Sequence, residues 1–242
     1  FFCALIWGLA FVAQSVGADH VGAFTFNGLR SLIGAVFLIP CVAFFDHLAG
    51  RPFSIWVTDN KTEQQDLITG GIVCGIVLTI ASTLQQIGIG HTTVGKASFI
   101  TTLYIVIVPL LGIFVRRIPG VKVWCSVVVA LIGMYLLCIS GSVRIGLGDA
   151  LVIGCAFVFS IHILVVDYFA EQVDGVKLSC LQFLTSGVIC LVLAFLTEHP
   201  SWNALFAGIV PVLYAGVLSS GVGYTLQVVG QKKVEPTAAS LL

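Results

Sequence analysis

The chain has 242 residues, 58% of them apolar and 9% charged, with eleven basic residues against eleven acidic; a soluble domain runs at about half apolar and a quarter charged. With a mean hydropathy of +1.10, this excludes a water-soluble globule and any separate soluble catalytic domain. Zero net charge, with Lys and Arg spread singly or in pairs, excludes nucleic acid as a partner. The fold class read from these figures is an all-α membrane protein of several spans.

In chain order, the first apolar run, Phe2 to about Val16, is short for a bilayer that asks about 20 residues of a helix, and no basic n-region or small-x-small cleavage site marks it as a signal peptide. Further runs of spanning length lie at about 24–45, 67–89, 97–115, 122–141, 148–169, 177–197 and 204–226, and another opens at Pro236-Thr237. The expectation is about nine spans, with the sequence cut inside its first and its last. Arg116-Arg117-Ile118-Pro119-Gly120 and Glu198-His199-Pro200-Ser201 join charge, Pro and Gly and predict tight antiparallel hairpins. Residues 46–66 read as the one long loop, with Asp46, Arg51, Asp59, Lys61, Glu63 and Asp66, and with Ser54 to Val57 on the membrane surface. The eight cysteines, Cys3, Cys41, Cys74, Cys125, Cys138, Cys155, Cys180 and Cys190, show no metal-like spacing and read as small apolar packing residues.

Lys and Arg near span ends are retained in the cytoplasm. Arg51, Lys61, Arg116, Arg117, Lys122, Lys177, Lys232 and Lys233 fall in alternate loops on one side, against Lys96 and Arg144 on the other, so the N-terminus is expected in the cytoplasm. The glycosylation sequon spelled by Asn60-Lys61-Thr62 then lies inside and reads as chance.

Shifted by 142 positions, the chain pairs Thr83-Leu84-Gln85 with Thr225-Leu226-Gln227, Gly88 with Gly230, and Ala97-Ser98 with Ala239-Ser240, without a gap. Five spans separate the copies, an odd number, so two copies of one fold would be inverted across the membrane. Inverted repeats of this kind let a protein exchange between conformations facing either side, a transporter signature.

The stretches LIWGLAFV at 5–12, HTTVGKASFITTLYIVIVP at 91–109 and GQKKVEPTAASLL at 230–242 resemble the EamA family of the drug/metabolite transporter superfamily, as does Gly148-Asp149-Ala150 at the opening of the second half. Where that family often has Arg-Phe in its second span, this chain has Arg30-Ser31. The resemblance implies ten spans in two inverted five-helix halves, here 1–141 and 142–242, with both termini cytoplasmic. It implies export or exchange of small organic solutes.

Candidate solute-binding residues follow from polarity inside the spans. Arg30 lies about six residues into its span, roughly 9 Å deep at 1.5 Å per residue; such a charge faces a cavity or partner, or snorkels along its stem to the head groups. His162 and Gln182 sit at similar depth on neighbouring spans and are expected to share a hydrogen bond, as interhelical glue or as a proton-carrying site. Gln85, Gln86 and Gln227 are the repeat-related polar positions. Thr101, Thr102 and Tyr104 offer hydroxyls, although Thr also bonds its own helix at i−4. Trp7 beside Gly8 reads as a ring on a cavity or as tight packing, and Gln14 and Tyr224 complete the set. Pro109 predicts a kink in the fourth span, and Asp167 is expected to cap or pair near Lys177.

Gly146-Leu147-Gly148-Asp149 spells the Gly-x-Gly-Asp of intramembrane aspartyl proteases, but no Tyr-Asp in an earlier span supplies the second carboxylate, so Asp149 reads as N-cap of the sixth span. The expected function is a secondary transporter in the cytoplasmic membrane. It moves small organic metabolites or amino-acid-like solutes by alternating access, as an exporter or exchanger. An intramembrane hydrolase and a passive channel or scramblase are the alternatives. No metal or organic cofactor is implied, and the partners are a small-molecule solute and the lipid bilayer. A cysteine placed at Asn60, in a background cleared of native cysteines, is expected to resist an impermeant maleimide in intact cells and to react after permeabilisation. Labelling from outside would reverse the orientation.

Overall fold

The structure is a computed structural model, which describes residues 2–58, 60–114, 120–138 and 146–231, all helix and connecting turns. The helices are α1 (Phe2–Ala18), α2 (Ala23–Leu48), α3 (Lys61–Ile89), α4 (Val94–Thr101), α5 (Tyr104–Phe114), α6 (Val121–Cys138), α7 (Leu147–Ala170) and α8 (Gly175–Thr197). They are followed by α9 (Trp202–Ala207), α10 (Ile209–Leu213), a π-helix (Tyr214–Tyr224) and α11 (Thr225–Gln231). Among the described residues six segments are long and apolar enough to cross a membrane, with shorter apolar helices at Phe2–Ala18 and Trp124–Gly133. The run opening at Pro236, the pair Ala239-Ser240, and Asp59, Arg116, Arg117, Arg144, Lys232 and Lys233 lie outside the described residues, as does the side chain of Lys122.

Three expected elements are corrected. The long loop is shorter than 46–66, because α2 runs on to Leu48 and α3 starts at Lys61, where the Asn60 side chain accepts the Thr62 N–H at 2.9 Å and caps the helix. Asp46, Lys61, Glu63 and Asp66 are therefore helical. The fourth span is interrupted at Thr102–Leu103, ahead of Pro109, which sits inside α5. The Thr102 hydroxyl donates to the Ser98 carbonyl, and the backbone tightens to bonds three residues back at Leu103, Ile105 and Val106, the local competition that bends helices. The run at 204–226 is divided among α9, α10 and the π-helix, with Gly208 between the first two and Pro211 inside α10. The N-cap of α7 is Gly146; Asp149 is one turn inside, its carboxylate accepting the Gly146 N–H at 3.0 Å.

The bundle is inside out relative to a soluble protein. Leu5, Leu9, Val12 and Val16 on α1, at steps of three and four, and Ile68, Ile72, Ile76 and Ile80 on α3, at steps of four, form exposed apolar stripes, while Gln14, Arg30, Gln86, His162 and Gln182 are buried. Hydrocarbon solvates no polar group, so polar side chains turn inward to find partners.

The antiparallel pair α2 and α8 lies at the centre. A Cβ on Gly28 would fall 2.7 Å from the Leu191 side chain, and one on Gly187 would fall 2.6 Å from that of Leu32. Each helix thus offers a glycine and, four residues on, a leucine that fills the other helix's notch; small residues let backbones approach where lipid supplies no hydrophobic force between helices. Both ends of the pair are tied. The N-terminus of α2 lacks a side-chain cap of its own, and Glu198, just after α8, accepts the Phe24 and Thr25 N–H groups at 2.8 Å each and the Thr25 hydroxyl at 2.7 Å. At the other end Lys177 Nζ lies 3.0 Å from Asp46 Oδ2, with both side chains buried. Around this pair, α3 packs on α7 and α8, while α10 and the π-helix pack on α1 and α2.

Removing one partner of a buried ion pair costs about 3–5 kcal/mol, whereas replacing both by apolar groups of similar volume is often neutral. Asp46→Asn is therefore expected to lower the thermal midpoint, read by size-exclusion fluorescence, markedly further than Asp46→Leu combined with Lys177→Met. An equal loss in both would remove the pair from the account of stability.

Candidate functional site

Between α1, α2, α3, the α4–α5 junction, α7 and the π-helix lies a cavity of about 90 Å³. At about 30 Å³ of liquid volume per water, it holds about three waters or one small solute. Ten of the twelve candidate residues line it: Trp7, Gln14, Arg30, Gln85, Thr101, Thr102, Tyr104, His162, Tyr224 and Gln227. Gln85 and Gln227, equivalent under the 142-position shift, thus reach one space from different helices.

Tyr224 is the hub of the aromatic wall. Its ring centroid is 5.0 Å from that of Trp7, 5.4 Å from Phe183 and 6.2 Å from His162, distances at which tilted and edge-to-face rings attract. The π-helix is stitched to α1 through backbone carbonyls. Trp7 Nε1 donates to Ser219 O at 3.4 Å, Cys3 Sγ to Gly223 O at 3.0 Å and the Tyr214 hydroxyl to Ile6 O at 3.1 Å. A Cβ at Gly223 would stand 2.8 Å from Trp7 Nε1, so only glycine admits the indole there.

Arg30 is 4% exposed. Among the described residues its Nε has no hydrogen-bond partner and no ion pair joins it to a carboxylate; the centre of its guanidinium lies 6.0 Å from the Phe26 ring. A buried ion loses several kcal/mol of solvation, and an aromatic face returns about 2 kcal/mol when desolvated, so desolvation outweighs the contact with Phe26. Gln85 Nε2 donates weakly to Thr101 Oγ1 at 3.4 Å. The Thr102 hydroxyl, also on the cavity, is committed to its own helix.

The other two candidates stand behind the wall. Gln182 is fully buried and its Oε1 lies 3.1 Å from His162 Nε2, which makes the interhelical bond expected from their equal depth; among the described residues His162 Nδ1 and Gln182 Nε2 have no partner. Gln86 Nε2 donates to the Gln14 carbonyl at 2.9 Å and lines a second, more open cavity of about 310 Å³ with Gly22, Gly90, His91 and Glu198. One layer, Gln14 against Gln86, therefore adjoins both cavities, and each of these glutamines has a buried Oε1 with no partner. Asp149 is remote from the central cavity, held by the Thr92 hydroxyl, the Gly146 N–H and Lys96 Nζ at 3.6 Å. Lys177 is held by Asp46, which lies far from it in sequence, and Asp167 is buried in α7. No group of His, Cys, Asp and Glu among the described residues has the makings of a metal site.

Reading the sequence misses Phe11, Phe159, Ile163 and Ser219 on the cavity. The apolar three look like any lipid-facing residue of a span. Ser219 is five residues from Tyr224, about 140° away around an α-helix; bonding five residues back restores them to one side, and nothing in the local pattern announces a π-helix.

The model of the EamA-like transporter family matches residues 1–139 and 146–242. The chain belongs to that family. As an EamA-like chain of apolar helices it is a multi-pass integral membrane protein of a transporter family. It is 28% identical, over 169 residues, to an uncharacterized transporter of Archaeoglobus fulgidus, a match that takes in 69% of this chain and 47% of that relative, so it spans about half the relative's length. A crystal structure at 16% identity superposes with a TM-score of 0.75 over 100% of this chain and 80% of its own, a likeness of fold.

Leaving a buried hydrogen-bonding group unpaired costs about 1–3 kcal/mol, whereas replacing both partners by apolar groups is nearly neutral. For this EamA-like protein, Gln182→Leu is expected to lower the thermal midpoint and His162→Phe with Gln182→Leu to recover most of it. A double variant as unstable as the single one would show that the pair is not an interhelical clip.

Proposed function

We propose that the protein is a secondary carrier that moves a small organic solute across the cytoplasmic membrane by alternating access, as an exporter or exchanger, with its N-terminus in the cytoplasm. One observation carries the reading: a small cavity deep in the bundle, lined by polar groups from both halves of the chain, and adjoining a more open cavity across the single layer of Gln14 and Gln86. A pore would need a continuous path, whereas a carrier needs a site that thin gates uncover in turn. The central position between helices and the broken backbone at α4–α5 and in the π-helix support it, since irregular segments at membrane depth are tolerated where they line a cavity. Two family-matched segments, 1–139 and 146–242, the Gln85–Gln227 equivalence, and the reciprocal packing of α2 with α8 support two inverted halves. Asp149, engaged on Thr92, Lys96 and Gly146 away from the central cavity, supports a cap in place of a catalytic acid.

The test is counterflow in proteoliposomes loaded with amino acids and short carboxylates. Uptake of at least one labelled member is expected to rise severalfold when the same compound is inside, and Tyr224→Ala, which removes the hub of the wall, is expected to abolish that rise in folded protein. Flux without stimulation from the far side would make the protein a passive pathway. Proton coupling through His162 predicts a pH profile between about pH 5.5 and 8 that His162→Gln flattens; an unchanged profile leaves His162 its interhelical bond alone.

A further inference from the structure

We infer that the cavity takes a small organic monoanion, a monocarboxylate with a short apolar body, whose charge is the missing partner of Arg30. The inference rests on the carrier reading of this cavity and adds the chemical class of its solute. Three observations combine. Arg30 is enclosed on the cavity wall with its Nε unpartnered and no ion-paired carboxylate among the described residues. The titratable groups that act on it electrostatically are Tyr224, Cys155 and Cys190, neutral in their ordinary state. Among the described residues the cavity lining contains no Asp or Glu and no second Arg or Lys, so this wall presents one fixed positive charge among neutral donors and acceptors.

A low-dielectric site with a single uncompensated cation selects a solute of one negative charge. A guanidinium is a fork that fits the two oxygens of a carboxylate with parallel N–H···O bonds, which an ammonium does not reproduce. Trp7, Phe159 and Tyr224 give the space one aromatic side, suited to an apolar body, and about 90 Å³ keeps that body short. A zwitterionic amino acid would bring an ammonium for which the wall offers no counter-charge.

The experiment measures ligand protection on the full chain in detergent, as concentration-dependent thermal midpoint, at constant ionic strength. Acetate, isobutyrate, isovalerate and benzoate are each compared with their own amide, and leucine and isoamylamine carry the same isobutyl group as isovalerate. At least one acid is expected to protect where its amide, leucine and isoamylamine do not. Arg30→Lys is expected to weaken that acid about tenfold or more, the loss of one charged hydrogen bond, and Arg30→Gln to erase the difference between acid and amide. Should Arg30→Gln fail to fold, the acid–amide comparison on the unaltered chain and Arg30→Lys decide. Acids indistinguishable from amides throughout, leucine protecting more than isovalerate, or selectivity surviving in Arg30→Gln would each overturn the assignment. Counterflow of the protecting acid separates the two readings. Selective binding without counterflow removes the carrier and keeps the anion site; counterflow of solutes without acid selectivity keeps the carrier and removes the anion site.

Discussion

The interlock of Gly28 with Leu191 and of Leu32 with Gly187 is the packing on which the rest of the structure depends. In lipid no hydrophobic force draws helices together, so close contact of small with large residues has to do it, and the carboxylate of Glu198 and the Asp46–Lys177 pair hold the two ends in register. Arg30 lies two positions from each contact of α2, about 200° around the helix, so the face that grips α8 dictates that the guanidinium points away from it. The same register presents α2 to the π-helix, where a Cβ on Gly216 would meet Ile33 and the Arg30 carbonyl.

That constraint leaves part of the unmet polar capacity around one space. Buried atoms without partners include Arg30 Nε, Gln14 Oε1, Gln86 Oε1 and His162 Nδ1, and each belongs to a residue on the cavity or on the layer next to it. Buried polar groups are normally paired, and local conflicts of this kind collect where a protein works on something other than itself. Away from the cavity the Thr79 hydroxyl donates to Gly75 O at 2.7 Å and lies 3.0 Å from Ser186 Oγ, whereas both amide atoms of Asn27 are without a partner among the described residues.

Backbone irregularity is spent in the same place. The tightened turn at Thr102–Leu103 brings Thr101 and Tyr104 to the cavity, and the π-helix brings Ser219 and Tyr224. The carbonyls of Ser219 and Gly223 accept from α1 side chains, so the unusual turn is fixed by its neighbour.

Much was legible in the sequence by itself. Spans follow from apolar length, because transfer into hydrocarbon is counted residue by residue along one helix, and polar residues inside spans point inward for the same reason. This is why Arg30, Gln85, His162 and Tyr224 stand out before any fold is known, and why depth alone pairs His162 with Gln182. What only the tertiary structure decided depends on distances between helices and on how the backbone bonds within a turn. It separated Gln85, on the central cavity, from Gln86, one residue on and facing the other. It paired Lys177 with Asp46 across the bundle, and it wound residues 214–224 so that Ser219 and Tyr224 share a face. A hydrophobic period fixes which side of a helix meets lipid, but the partner across the interface and the pitch of the turn are set by the helices packed against it.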